Sequence, residues 1–133
     1  MLFSVDETPP PTLDEYLHFW IECDRLSLAL DEWMNETPLF IAPVGATPAF
    51  KHDTDEVVVA GQTLNTVLAL RYCAAFNIYN LPCVCVPVAF TSEGLPIGIQ
   101  IVGRRNEEDT VLIAAAIVEE ALGGWRPPVT SWN

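Results

Sequence analysis

Attack on a carbonyl carbon requires a Ser, Cys or Thr beside a base, with backbone N–H groups placed to receive the developing oxyanion. The chain offers serines at 4, 27, 92 and 131, a single lysine (Lys51), His18 and His52, and cysteines at 23, 73, 83 and 85. None of the serines lies in a Gly-Ser-rich turn or in a Gly-x-Ser-x-Gly elbow, where the nucleophile would be presented on a tight bend. Lys51 stands beside His52, Asp53, Asp55 and Glu56, and reads as solvated charge on a loop. A Cys–His pair would have to be assembled by folding, since such partners meet in space and not in order. All four cysteines sit within apolar periodic segments, which marks them as buried packing residues. Cys83 and Cys85 share one side of a strand, but no second pair and no adjacent histidine completes a metal site. Gly94 to Gly98 is no phosphate loop, because no Lys follows and no helix begins there. No cofactor and no metal are therefore expected.

The elements that would position any site follow from composition and periodicity. Half of the 133 residues are hydrophobic, enough for one domain with a sizeable core. Acidic residues outnumber basic ones by 18 to 6, giving a formal net charge of −12. That charge repels phosphate backbones and anionic lipid, so neither nucleic acid nor a membrane is an expected partner. No apolar run approaches the roughly eighteen residues of a membrane helix, and Met1–Glu7 lacks the basic and apolar regions of a secretory signal. A soluble, cytoplasmic protein is expected.

Pro9-Pro10-Pro11 closes an extended lead-in over residues 1–11. Thr12, three residues before Glu15, forms a capping-box pattern. Leu13, Tyr16, Leu17, Trp20, Cys23, Leu26, Leu30 and Trp33 then recur at helical spacing, predicting a helix over 13–34. Leu39–Ala42 reads as a short buried strand stopped by Pro43, and 44–62 as mostly loop. Thr63–Phe76 carries Leu64, Val67, Leu68, Tyr72 and Ala75 on one stripe and reads as a second helix. Residues 82–88 and 97–102 form an expected hairpin around Ser92-Glu93-Gly94, its continuous apolar character implying burial on both faces. Asn106 is expected to cap a third helix whose first turn is Glu107-Glu108-Asp109 and which ends at Gly123. The tail 124–128 cannot be helical, and Trp125 is expected to pack back on the body. The order helix, strand, helix, strand, strand, helix predicts an α/β fold with one antiparallel pairing and an open apolar sheet edge.

Gly94-Leu95-Pro96-Ile97-Gly98-Ile99-Gln100, with Asn77, Pro82 and Pro87 upstream, resembles the C-terminal signature of the amidase signature family. The resemblance extends over about residues 12–128. It includes the Thr12–Leu30 segment with Arg25, the strand entering Pro43 with Pro48-Ala49 after it, and the Trp125-Arg126-Pro127-Pro128 ending. It implies an α/β fold: a partial mixed sheet with flanking helices, residues 12–133 being the C-terminal part of the amidase signature fold. Asn80 departs from the Asn-x-x-Gly-x-Pro pattern of that family, and Asn is the next best residue for a left-handed turn.

That family hydrolyses or transfers at amide C–N bonds, using a Ser nucleophile, a second Ser in a cis peptide and a Lys, with the serines in or near a Gly-Ser-rich signature. These 133 residues contain no such motif, so the resemblance carries a catalytic role to no residue here. It implies scaffold and pocket wall instead. Pro43, Val44, Gly45 and Thr47, in the loop after the first strand, and Asn77 and Tyr79, in the connection before the hairpin, are the substrate-binding candidates. The expectation is the C-terminal portion of an amidase-family hydrolase, inactive alone, reaching a small-molecule amide only with an N-terminal part that holds the Ser-Ser-Lys machinery. The alternatives are a non-catalytic interaction subunit completing a partner chain, the A-subunit branch of the tRNA-dependent amidotransferases, or an independent small binding domain, and the exposed sheet edge is expected to take a second copy or a partner chain.

Overall fold

The computed structural model describes residues 9–127. Residues 1–8 of the lead-in, Pro128 of the tail, and Ser4 and Ser131 lie outside the described residues.

Helix α1 spans Leu13–Trp33 and opens with the capping box that the sequence predicts. The Thr12 hydroxyl accepts from the Glu15 N–H at 3.3 Å, while the Glu15 carboxylate accepts from the Thr12 N–H at 2.8 Å. The apolar stripe of this helix finds little cover. Leu13, Tyr16, Leu17, Trp20, Leu26 and Leu28 are exposed, and Cys23 is the buried residue of the helix. The helix meets the core through its last turn, where Leu30 packs on the cluster of Met34, Leu81 and Val102, and Trp33 meets Phe40 edge to face at 5.9 Å.

The central layer is a sheet of β1 (Leu39–Pro43), β4 (Cys83–Phe90) and β5 (Pro96–Gly103) in the order β1-β5-β4. Both pairings are antiparallel. The β4–β5 hairpin is the one expected, with a bulge between Pro87 and Ala89 and a turn in which Gly94 adopts a φ of 84°. Because side chains alternate across a strand, the register sorts the sheet into two faces. Leu39, Val84, Val86, Ile99 and Ile101 pack under helix α4 (Glu108–Ala121) with Val111 and Ala115. Phe40, Cys83, Cys85, Gly98, Gln100 and Val102 occupy the other face, where Phe40 and Val102 pack with Met34, Phe76 and Leu81.

Burial on both faces is only partly realised. Gln100, Ile101, Val102 and Gly103 of β5 are buried, but Cys83 and Cys85 of β4 are exposed. The expectation of four buried thiols is corrected accordingly: Cys23 is buried and Cys73 partly so. The reason is the face they occupy: Val84 and Val86 of the same strand lie under α4, whereas Cys83 and Cys85 stand on the opposite face, where cover is sparse.

Three segments depart from the sequence reading. Residues 44–62 are not mostly loop, because β2 (Glu56–Val59) pairs with β3 (Gln62–Asn65) in a second antiparallel hairpin. Its two-residue turn places Ala60 at φ 49° and Gly61 at φ 80°. Ala carries none of the usual turn signal at such a position, which hid the hairpin. The helix expected over 63–76 is broken. Thr63 and Leu64 pair with Val58 and Val57, the Asn65 side chain caps the short α2 (Thr66–Ala69), and a 3-10 turn over Arg71–Cys73 leads into α3 (Ala74–Ile78). The break has a tertiary cause: the Ala69 carbonyl accepts from the N–H of Ala46, in the loop after β1, at 2.8 Å, leaving Cys73 N–H to donate to Leu70. Asn106 does not cap α4 but takes a left-handed φ of 62° in the turn closed by Glu107 N–H to the Arg104 carbonyl. The helix then starts at Glu108, with Glu108 and Asp109 at its positive end.

Helix α4 ends at Ala121, with Gly123 at φ 89°. Trp125 does not pack on the body, being 65% exposed. Asn80 adopts the left-handed conformation expected of it, at φ 52°. Among the described residues no helix is long and apolar enough to cross a membrane.

Candidate substrate cleft

The loop leaving β1 folds back across the face of the sheet that carries Cys85 and Gly98. Gly45 lets it do so: a side chain there would crowd the Ala69 carbonyl and Leu70 at 3.3 Å each. Gly98 plays the matching part on the floor, where a Cβ would stand 3.0 Å from the Cys85 sulfur. Between loop and floor lies a cleft of about 380 Å³, lined by Val44–Phe50, Leu70, Cys85 and Pro96–Gly98.

Among the described residues no charged side chain lines this cleft, and Thr47 offers the hydroxyl. Partial desolvation at the sheet surface pushes the Cys85 thiol above its ordinary value, with Cys73 adding to the effect, so the floor stays neutral at physiological pH. Cys83 is pushed up in the same way, first by burial and then by Cys73 and Cys85. A neutral, mostly apolar cavity of this size can hold the chain of an uncharged organic molecule.

Behind the cleft sits Gln100, only 3% exposed. Its Nε2 donates to the Pro43 carbonyl at 2.6 Å and to the Tyr72 carbonyl at 3.2 Å. Its Oε1 accepts from the Cys83 thiol at 3.3 Å. Next to this amide, the Cys73 thiol donates to the Val44 carbonyl at 3.0 Å.

The structure places Val44, Gly45 and Thr47 in the cleft wall, and Pro43 at its root with its carbonyl on Gln100. Asn77 and Tyr79 do not line it. Tyr79 packs against the Met34–Leu81–Val102 cluster and its carbonyl accepts from Arg105 at 3.4 Å, while Asn77 is exposed and accepts the Asn80 N–H in a turn. Phe50, Leu70 and Cys85 escaped sequence reasoning because they are far apart in the chain and share no motif. For Gln100 a signal exists: it lies two residues from Gly98, hence on the same face of the strand.

Among the described residues no Ser, His or Lys lines this cleft. The Ser27 hydroxyl donates to the Cys23 carbonyl within α1 at 2.8 Å, Ser92 lies in the β4–β5 turn, and Lys51 is exposed. Among the described residues no group of three His, Cys, Asp or Glu side chains could hold a metal. A second concavity of about 360 Å³ runs from Asn80–Val84 to Arg105 and the start of α4, with Cys83 and Glu108 in its lining.

The model of the family described as Amidase matches residues 16–112. The chain belongs to the amidase family. Among curated amidase-family relatives, the A component of the glutamyl-tRNA(Gln) amidotransferase of Brucella ovis is 33% identical over 82 residues, covering 62% of this chain and 17% of that protein. The fatty acid amide hydrolase of Medicago truncatula is 43% identical over 65 residues, 48% of this chain and 11% of that protein. Two solved structures share the amidase fold: an amidase with a TM-score of 0.76 at 25% identity, covering 85% of this chain and 26% of its own, and 6-aminohexanoate cyclic dimer hydrolase with a TM-score of 0.68 at 26% identity, covering 89% and 26%. These 133 residues thus span about a quarter or less of the amidase-family proteins they match.

Proposed function

We propose that this chain is the C-terminal portion of a hydrolase acting on amide C–N bonds, supplying scaffold and one wall of the substrate pocket. The Ser-Ser-Lys machinery would come from residues other than these. The observation that carries this reading is the uncharged cleft between the Val44–Phe50 loop and the Cys85–Gly98 floor, whose lining includes Pro96–Gly98 of the family signature. An uncharged amide with an apolar acyl chain is the ligand such a lining accepts without burying an unpaired charge. The names of the relatives, fatty acid amide hydrolase and 6-aminohexanoate cyclic dimer hydrolase among them, agree with amide substrates as a class.

The test is hydrolysis of hexanamide and of an aryl amide by the isolated chain, alongside binding of hexanamide followed by NMR. Binding without turnover is the expected result. Robust turnover abolished by a substitution within these 133 residues would sink the proposal, as would the absence of any resonance shift in Val44–Phe50.

A second reading is favoured by the uncovered face of α1, where Leu13, Tyr16, Leu17 and Trp20 lie exposed. In it the chain is a non-catalytic subunit completing a partner polypeptide, and the amidotransferase branch of the family belongs here as well. Co-purification with a larger chain bearing a Gly-Ser-rich signature distinguishes this reading from the first.

A further inference from the structure

Two consecutive carbonyls, those of Pro43 and Val44, form the root of the cleft loop where it leaves β1. Neither is held by a neighbour in sequence. Pro43 is taken by the side-chain amide of Gln100, 57 residues away, and Val44 by the thiol of Cys73, 29 residues away. The same Gln100 amide also donates to Tyr72, and its oxygen accepts from Cys83, so every polar atom of this buried side chain is engaged. A third bond, Ala46 N–H to the Ala69 carbonyl, lies further along the loop. The loop has no regular ladder of its own, so these side-chain ties decide where it sits above the Cys85–Gly98 floor.

We infer that Gln100 and Cys73 are positioning residues that set the width of the cleft by pinning the root of the Val44–Phe50 loop to β5 and to the 3-10 turn. Neither side chain lines the cavity, so each acts on a ligand only through the loop. As a statement about ligand binding, this rests on the cleft being the amide pocket. As a statement about the loop, it does not.

The experiment uses the full 133-residue chain and two readouts, hydrogen–deuterium exchange of the 44–50 amides and NMR titration with hexanamide. Gln100→Met keeps length and removes both donors. Cys73→Ala removes the thiol, and Cys73→Ser keeps a donor in its place. Exchange over 44–50 is expected to rise about tenfold in Gln100→Met and by a smaller factor in Cys73→Ala. Cys73→Ser should stay near the wild type, and exchange in the β4–β5 hairpin should change least. Hexanamide should bind Gln100→Met about tenfold more weakly. Unchanged exchange over 44–50 in both Gln100→Met and Cys73→Ala overturns the inference, as does a Cys73→Ser chain that behaves like Cys73→Ala. If Gln100→Met fails to fold, the Cys73 pair alone decides. A wild-type chain that ignores hexanamide while the exchange results hold would defeat the pocket reading and leave the two ties in place.

Discussion

The two faces of the β1-β5-β4 sheet are built on different principles. Under α4 the centre of the face is closely packed and apolar, with concavities opening only along its β4 side: Val86, Ile101, Val111 and Ala115 are buried together, and Gly103 is bare so that Val111 can occupy the space of its missing side chain. The opposite face is apolar only at one end, around Met34, Leu81 and Val102. At its other end it carries thiols, a buried amide and the cleft. Close packing holds the first face by its shape, while specific hydrogen bonds hold the second and leave space between them. A cavity survives where polar ties keep a loop from collapsing onto the sheet.

Substitutions at the two strand glycines test this contrast most directly. Gly103→Ala should be the most damaging, because its new methyl group overlaps Val111 inside the closed face; a loss of about 3 kcal/mol is expected in urea denaturation. Combining it with Val111→Ala should return part of that loss. Gly98→Ala, on the open face, meets only the end of the Cys85 side chain at 3.0 Å and should cost about 1 kcal/mol. In a Cys85→Ala background that cost should vanish. If Gly98→Ala proves as harmful as Gly103→Ala, the distinction between a sealed and a yielding face is wrong.

Two smaller effects sharpen the picture away from the sheet interior. Ala60→Asn, at the left-handed turn of the β2–β3 hairpin, should stabilise the chain by about 0.5 kcal/mol, read as a rise in the urea midpoint. Exposed thiols ordinarily alkylate readily, yet Cys83 and Cys85 should react with iodoacetamide at about pH 8 more slowly than cysteine in an unstructured peptide. Their raised values leave less thiolate at that pH, the thiolate being the nucleophile. Their rates should keep climbing with pH after the peptide has levelled off. Parity with the peptide under those conditions would mean that the open face does not desolvate its thiols.

Three local signals translated faithfully into structure, although Asn106 did not become the cap of α4. The Thr12–Glu15 pair opens α1, Gly94 turns the hairpin, and Asn80 takes the left-handed conformation, since each depends on residues only a few positions apart. The cleft was half legible: Val44, Gly45 and Thr47 follow from the loop, whereas Tyr79 packs at the other end of the same face and Asn77 is exposed in a turn. Trp125 illustrates a different failure. An aromatic residue in a tail suggests a partner surface, but a hydrophobic side chain does not say which surface covers it, and here it stays exposed.

By itself the sequence determined the family, the class of fold, the hairpin of the signature, and the absence from these residues of any Gly-Ser-rich catalytic motif. These rest on residue identity and short spacing. Only the tertiary structure decided that the 63–76 helix breaks, that Gln100 and Cys73 hold the loop root, and that the α1 stripe finds little to pack against. Each of those outcomes is settled by a donor, acceptor or apolar surface far away in the chain. Periodicity and turn chemistry describe a segment's own preferences and carry no information about such distant partners.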